Sequence, residues 1–332
     1  MIRSTLGSIL TCMAVVSLIA ILNPVAAETG TLVVVNKNEN TASIIDIGSS
    51  RTVAKLPTGT GPHEVALSSD GRWAVVTDYA GGDSLTVIDV SVPEVVRTID
   101  LAKYPRPHGI AFLPGDKLVA VTSESSQNVV FVDVGKGEII NGISTGQRGS
   151  HMLTVVGSGD VVFTSNFAGT VSELDVKKKA RTRVMKVAPQ LEAITVTHYG
   201  KEVWVGSNSE GTVNIVNTGT GKKEHSLENF SFPYRILITP DNRLAIVPDF
   251  KGNEIRFFDR ATKQQLGSID LPEAGPQGLT LGKDAGTLYL SLNRQNRIAI
   301  IDLKTRKITG YIPAGAGPDG IVYSPIVHQS SE

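Results

Sequence analysis

The 332-residue chain is 41% apolar, 19% charged and only 5% aromatic, with 32 basic against 32 acidic residues, 33 Gly and 16 Pro. This composition supports a sizeable buried core and excludes disordered, collagen-like and coiled-coil chains, while charge neutrality excludes the basic stripe that a nucleic-acid backbone demands. At about 150 residues per domain the length allows two domains or one large closed β-architecture.

The first element is an export signal over residues 1–27. Arg3 supplies the positive start, no charge falls between Leu6 and Leu22, and Val25-Ala26-Ala27 offers small residues before a cut. An uncleaved anchor is the competing reading of that run. Cleavage leaves a chain that starts at Glu28, has 31 basic against 32 acidic residues and has lost Cys12, its single cysteine. Disulfides, thiolate metal sites, thiol nucleophiles and covalent c-type haem are then excluded. The expected location is periplasmic or secreted, without stable membrane insertion after signal removal.

From residue 31 the chain repeats. A run ending in Asp or Asn recurs at residues 43–46, 87–89, 131–133, 173–175, 215–217, 257–259 and 300–302, at spacings of 42–44 residues. Ahead of each lies a second run, at 31–36, 73–78, 118–123, 161–166, 203–208, 244–249 and 288–293. A third run occupies 62–67, 107–112, 150–155, 191–194, 233–236, 276–279 and 318–321. These runs of β-branched and apolar residues, bounded by Gly, Asp, Asn and Pro, are too short and punctuated for helices and read as strands. Turn signals such as Asp70-Gly71 and Pro240-Asp241-Asn242 join them, and a fourth short strand such as 95–99 completes each sheet.

Every element occurs seven times, out of phase at the ends. The N-terminus supplies the second and third strands of an incomplete blade, and residues 317–323 its missing first strand. The predicted fold is all-β: a seven-bladed β-propeller of four-stranded antiparallel blades over residues 28–325, closed by a C-terminal strand joining the N-terminal blade, with a tail at 326–332.

Gly61-Pro62-His63, Asp70-Gly71, Val75-Val76-Thr77-Asp78 and Val87-Ile88-Asp89-Val90 carry a family likeness. In these motifs the chain, over residues 29–325, resembles the YVTN-repeat propellers, including YncE-like exported proteins. It is similar also to the propeller domain that holds d-type haem in dissimilatory nitrite reductases, whose blades carry Pro-His-Gly where this chain has Pro107-His108-Gly109. The resemblance implies the fold more than the function, since propellers host binding proteins, lactonases, lyases and oxidoreductases. Trp73 and Trp204 stand in different registers, which gives a WD-type assignment no support.

What every blade shares is structural: Asp46, Asp89, Asp133, Asp175, Asn217, Asp259 and Asp302 are expected to cap turns by accepting N–H bonds two residues on. The position after the blade-opening proline varies, as His63, His108, His151, Glu192, Tyr234, Gln277 and Asp319. The first strand of a propeller blade is innermost, so these side chains form a ring at one mouth of the channel. The second-strand ends Asn36, Asp78, Asn166, Asn208, Asp249 and Asn293 are expected beside them.

His63, His108, His151 and Glu192 suit a divalent metal, copper or zinc, or a haem-type cofactor as the related propellers imply; bonds to neighbouring backbone or channel water are the structural alternative. Tyr234, Arg235, Gln277, Asp319, Asp78 and Asp249 are candidate ligand-binding residues. Arg106, Arg148 and Arg235 suit a bound anion or ordinary solvation. Tyr79, Phe167 and Phe250 suit an apolar wall or blade packing. His198 and His225 are expected in turns, and His328 in the tail.

Three functions follow, in order. The first is a binding or scaffold protein that takes a small molecule or a protein partner at the channel mouth. The second is a metal- or haem-dependent oxidoreductase using the three histidines and Glu192. The third is a lactonase-type hydrolase or lyase, with His151 or Glu192 as base and Arg235 stabilising an oxyanion.

Overall fold

The computed structural model describes residues 28–328; the expected signal at 1–27 and residues 329–332 lie outside it. Seven four-stranded antiparallel sheets follow one another around a ring. Blade 1 combines Pro318–Ser324 with Thr31–Asn36, Thr41–Asp46 and Arg51–Pro57, so the N-terminal segment supplies its outer strand as well as the two middle ones. Blades 2 to 7 open on Pro62–Leu67, Pro107–Phe112, Ser150–Val155, Leu191–Val196, Leu237–Ile238 and Pro276–Leu281.

Blade 6 departs from the expected strand at 233–236. Only Leu237 and Ile238 pair regularly there, and Pro233 touches Asp249 through a single bridge. Its partner strand contains Pro248, which has no N–H to give to a ladder.

Second strands are buried on both faces, as in the wholly buried Thr31–Asn36, which is why they read as continuous apolar runs. Their side chains build seven apolar clusters, one between each successive pair of blades around the ring. Outer strands are half exposed, and the ladder joining each to the third strand slips in all seven blades, for example between Val87 and Ile88. Such bulges twist an open edge away from further pairing.

The ring closes where Thr31–Val34 pairs with Ile321–Ser324. Beyond the strand, Ser324 Oγ donates to the Gly71 carbonyl at 2.7 Å, Thr31 Oγ1 donates to the Ile326 carbonyl at 2.6 Å, and Ile326 packs with the cluster between blades 1 and 2. The ordered closure therefore runs through Ile326, one residue beyond the expected boundary. On the other side, Glu28 accepts the Lys283 N–H at 2.8 Å and the Tyr289 hydroxyl at 2.9 Å, tying the N-terminal segment to blade 7.

The turn caps are present in every blade, with one correction. Six of the seven accept an N–H three residues on, as Asp46 does from Ser49 at 2.8 Å, because the four-residue outer turn places that amide under the side chain. Only Asp89 bonds two residues on, to Ser91. His198 lies in a turn as expected, whereas His225 belongs to the outer strand Lys223–Leu227 of blade 5.

Candidate functional site: two interlocking rings at the channel mouth

Six of the ring residues stand second in an innermost strand, where pairing with the second strand is interrupted, for example between Pro62 and Val65 or Pro107 and Ile110; Tyr234 follows the isolated bridge of Pro233 in blade 6. A repeated hydroxyl holds this irregular segment. Thr77 Oγ1 accepts the Glu64 N–H of its own blade at 3.1 Å and donates to the His108 carbonyl of the next at 2.9 Å. Thr122 does the same between Gly109 and His151, at 2.8 and 2.5 Å, and Ser165 between Met152 and Glu192. Thr122→Val keeps the volume but leaves a buried N–H and a buried carbonyl without a partner, so it should cost about 1–3 kcal/mol in a denaturant melt and disturb the His151 ring resonances.

Gly109 and Gly320 follow ring positions for a related reason. A Cβ on Gly109 would stand 2.8 Å from the Leu153 amide of blade 4, and one on Gly320 would stand 2.7 Å from the His63 carbonyl of blade 2. The Pro-His-Gly pattern thus reflects how closely the innermost strands approach.

All seven ring residues are at most 7% exposed. The three imidazoles form a column: His63 and His108 have centroids 4.3 Å apart, His108 and His151 3.7 Å. Across the ring, the Tyr234 hydroxyl donates to Asp319 at 3.1 Å.

A second ring, one residue past each second strand, is locked into the first. Asn208 and Asn293 belong to it, since their strands end at Ser207 and Leu292, not one residue later as expected. Lys37, Tyr79, Glu124, Phe167 and Phe250 hold the same position. Lys37 Nζ lies 2.8 Å from Asp319 Oδ2 and 3.3 Å from His63 Nε2. Glu124 accepts from the Tyr79 hydroxyl at 2.8 Å and from Arg106 at 3.1 Å, and bonds His151 Nδ1 at 2.9 Å. Phe167 lies over His151 at 4.3 Å, and Asn208 donates to Glu192. Lys37 and Glu124 went unread in the sequence because only the aligned repeat, compared one position past each strand, singles them out.

Beneath the rings Glu64 and Arg235, also unpaired in the sequence reading, form a buried ion pair between blades 2 and 6. Glu64 also bonds His63 Nδ1 at 3.0 Å. Below lies a channel cavity of about 320 Å³, lined by Val65, Ile194, Ile236, Leu279 and Ile321. A larger cleft of about 740 Å³ lies on the opposite face between blades 6 and 7, where Arg243, Lys304 and Arg306 stand among turn carboxylates of Asp241, Asp259 and Asp284.

The expected donor set for a metal does not share a centre. His151 bonds Glu124 through Nδ1 at 2.9 Å and turns Nε2 toward Glu192 at 3.8 Å, so its ring is held between two carboxylates and not aimed at the other two histidines' donors. Among the described residues, the only donors close together are those of His63, Glu64 and His108, within 4.8 Å of one another. There Glu64 already holds Arg235, and Lys37 faces His63, so a divalent ion would stand beside two cations. That triad does not fit a metal.

The other expected ligands are also accounted for. Asp78 Oδ2 accepts from Ser84 at 2.6 Å and Thr86 at 3.0 Å, while its Oδ1 has no hydrogen-bond partner; Asp249 accepts the amides of Ser231, Phe232 and Gly252. Both brace loops, and the structure does not bring them into the ring cluster. Arg106 is committed to Glu124, Arg235 to Glu64, and the exposed Arg148 reaches the Phe167 carbonyl. An anion therefore finds no free guanidinium inside the mouth. In the lactone reading the oxyanion partner Arg235 is paired with Glu64, and the two candidate bases are paired as well, His151 with Glu124 and Glu192 with Asn208.

Burial, the largest influence on His63 and His108, drives both well below the usual 6.5, and neighbouring positive groups push the same way. Burial opposes charge at His151 too, but its bonds to Glu124 and Glu192 outweigh it and hold the ring above that value. The signs differ accordingly. His151 contributes stability that is complete below about 6.5 and is lost as pH rises through its folded value. Neutral His63 and His108 contribute stability complete above about 6.5 and lost as pH falls from there through theirs. The expected ring-proton titrations place His151 above 6.5 and the other two well below, and His151→Gln should abolish the decline in melting temperature on the alkaline side.

A closed ring of seven four-stranded sheets defines the chain as a seven-bladed β-propeller. It is similar to the YNCE-like beta-propeller family, whose model matches residues 25–114, through blade 2 and the first strand of blade 3. The structure is similar to that of hydrazine synthase from Kuenenia stuttgartiensis, with a TM-score of 0.69 and 16% identity, covering 80% of this chain and 90% of that one. It is similar also to a functionally unknown protein from Desulfotomaculum acetoxidans DSM 771, with a TM-score of 0.74 and 15% identity, covering 89% and 99%. At such identities the likeness is one of fold alone. No curated protein matches the chain.

Proposed function

We propose that this chain is an exported binding or scaffold propeller that holds a small ligand at the histidine-bearing mouth of its channel. The observation that carries this reading is the state of His108 and Gln277. They are 1% and 3% exposed, His108 Nδ1 and Gln277 Oε1 have no hydrogen-bond partner, and neither side chain forms a hydrogen bond among the described residues. A buried polar atom left unpaired costs about 1–3 kcal/mol, so these two side chains, with Asn208 Oδ1 a further unpaired atom of the second ring, mark a place for a partner molecule.

The variety at the ring supports the same reading: five residue types occupy its seven positions, and even blades 2 to 4, which share one hydroxyl mount, present both His and a neighbouring blade's Glu192 on it. A thermal-shift screen of small molecules against the wild type, His108→Phe and Gln277→Leu tests it. Ligands should raise the melting temperature of the wild type and of neither variant. Ligands that stabilise all three alike would place binding elsewhere and overturn the proposal. Export is tested by N-terminal sequencing of the protein from its producing cell, which should begin at Glu28.

A further inference from the structure

We infer that the ligand of this mouth is a small uncharged molecule presenting a hydrogen-bond donor and an acceptor side by side, of the carboxamide class. This rests on the mouth being the binding site, as proposed above.

The argument starts from the charges. In the two rings, the floor beneath them and the adjoining Arg106, the cations are Lys37, Arg106 and Arg235, joined by His151 in its protonated form, and the anions are Glu64, Glu124, Glu192 and Asp319. Each is matched inside the cluster. Lys37 pairs with Asp319 at 2.8 Å, Arg106 with Glu124 at 3.1 Å, and Arg235 with Glu64. His151 stands between Glu124 at 2.9 Å and Glu192 at 3.8 Å. A charged ligand would give up its hydration and find no unmatched counter-charge, an exchange that is strongly unfavourable in a buried site.

The groups left over are neutral. Every other ring residue bonds through its side chain: His63 to Glu64, His151 to Glu124, Glu192 to Asn208, and Tyr234 to Asp319. His108 and Gln277 alone do not. They stand on blades 3 and 7, three blades apart one way and four the other, hence on opposite sides of the ring. A neutral imidazole offers one donor and one acceptor, and a carboxamide side chain offers both. A molecule reaching between them satisfies them only if it can also give and receive. Tyr79, edge-on to His108 at a centroid distance of 4.5 Å, adds an aromatic wall.

The test uses three isosteres that differ in charge: acetamide, acetate and acetamidinium. Each is titrated into isotopically labelled full-length protein at fixed ionic strength, following the Gln277 side-chain amide and the His108 ring. Acetamide should shift both and bind at least tenfold more tightly than either ion, with little dependence on salt. Gln277→Leu should lose that binding at an unchanged fold, checked by its amide spectrum. Gln277→Glu, which adds one unmatched charge, should reverse the preference toward acetamidinium. If acetate or acetamidinium shifts the mouth resonances as strongly as acetamide in the wild type, the ligand is charged and this inference fails while the mouth remains the site. If none of the three moves those resonances, an ordered water alone fills the gap and both readings fall.

Discussion

Removing residues 317–332 is expected to abolish cooperative folding or to lower the melting temperature by more than about 10 °C. The deleted segment supplies the innermost strand of blade 1, pairs with Thr31–Val34, and carries Ile321 into the cluster between blades 7 and 1. Its last residues bridge to blade 2 through Ser324 and Ile326. Burial of each large aliphatic side chain is worth about 1.5–3 kcal/mol, so losing Ile321, Ile326 and the strand ladder together costs on the order of 5 kcal/mol or more, comparable to the net stability of a domain. At about 2.1 cal/mol/K of unfolding entropy per residue, a loss of about 6–7 kcal/mol lowers the melting temperature of a chain of this size by about 10 °C. A circular-dichroism melt of the truncated chain that matched the full-length one would refute the account of closure.

The second large effect is expected at the buried ion pair. Glu64→Ala or Arg235→Ala alone should cost about 3–5 kcal/mol, because either change strands the opposite charge in a buried position. Replacing both by Leu should restore most of that loss, since the double change removes two desolvation penalties together with their mutual attraction. Spectroscopy supplies an independent check. Burial, then the Lys37 and Arg235 charges, hold His63 well below its ordinary value. Removing Arg235 while leaving Glu64 should therefore bring the His63 titration upward. Single and double variants that melt alike would show that the pair carries no coupling.

Much of the architecture was legible because it repeats. Seven copies of one pattern give each strand seven chances to be recognised, and the phase offset between the termini already implies that blade 1 is shared. The part that could not be read was the pairing inside the mouth. Glu64 follows a ring histidine, and Arg235 a ring tyrosine, 171 positions further along the chain. Nothing local announces that they meet, because their contact depends on blades 7 and 1 lying between them with glycines at positions 278 and 320. Blade 6 shows the opposite limit: its opening motif matched the others, yet Pro248 on the neighbouring strand removed the N–H needed to extend the sheet.

The column of histidines misled for a related reason. Three imidazoles on consecutive blades suggest ligands around a common ion when their flanking groups are unknown. With Glu64, Glu124 and Lys37 in place, each of the outer two rings is hydrogen-bonded to a neighbour, and among the described residues only the middle ring has no such bond.

The seam in blade 1 also sets an order of events during synthesis. A nascent chain emerging from the ribosome has the first strands of its ring in hand almost from the start, yet must wait for nearly its last residues before that sheet can be finished. Blades 2 to 7 are each built from contiguous sequence and can form as they appear, so the circle remains an open chain of modules until the final strand docks.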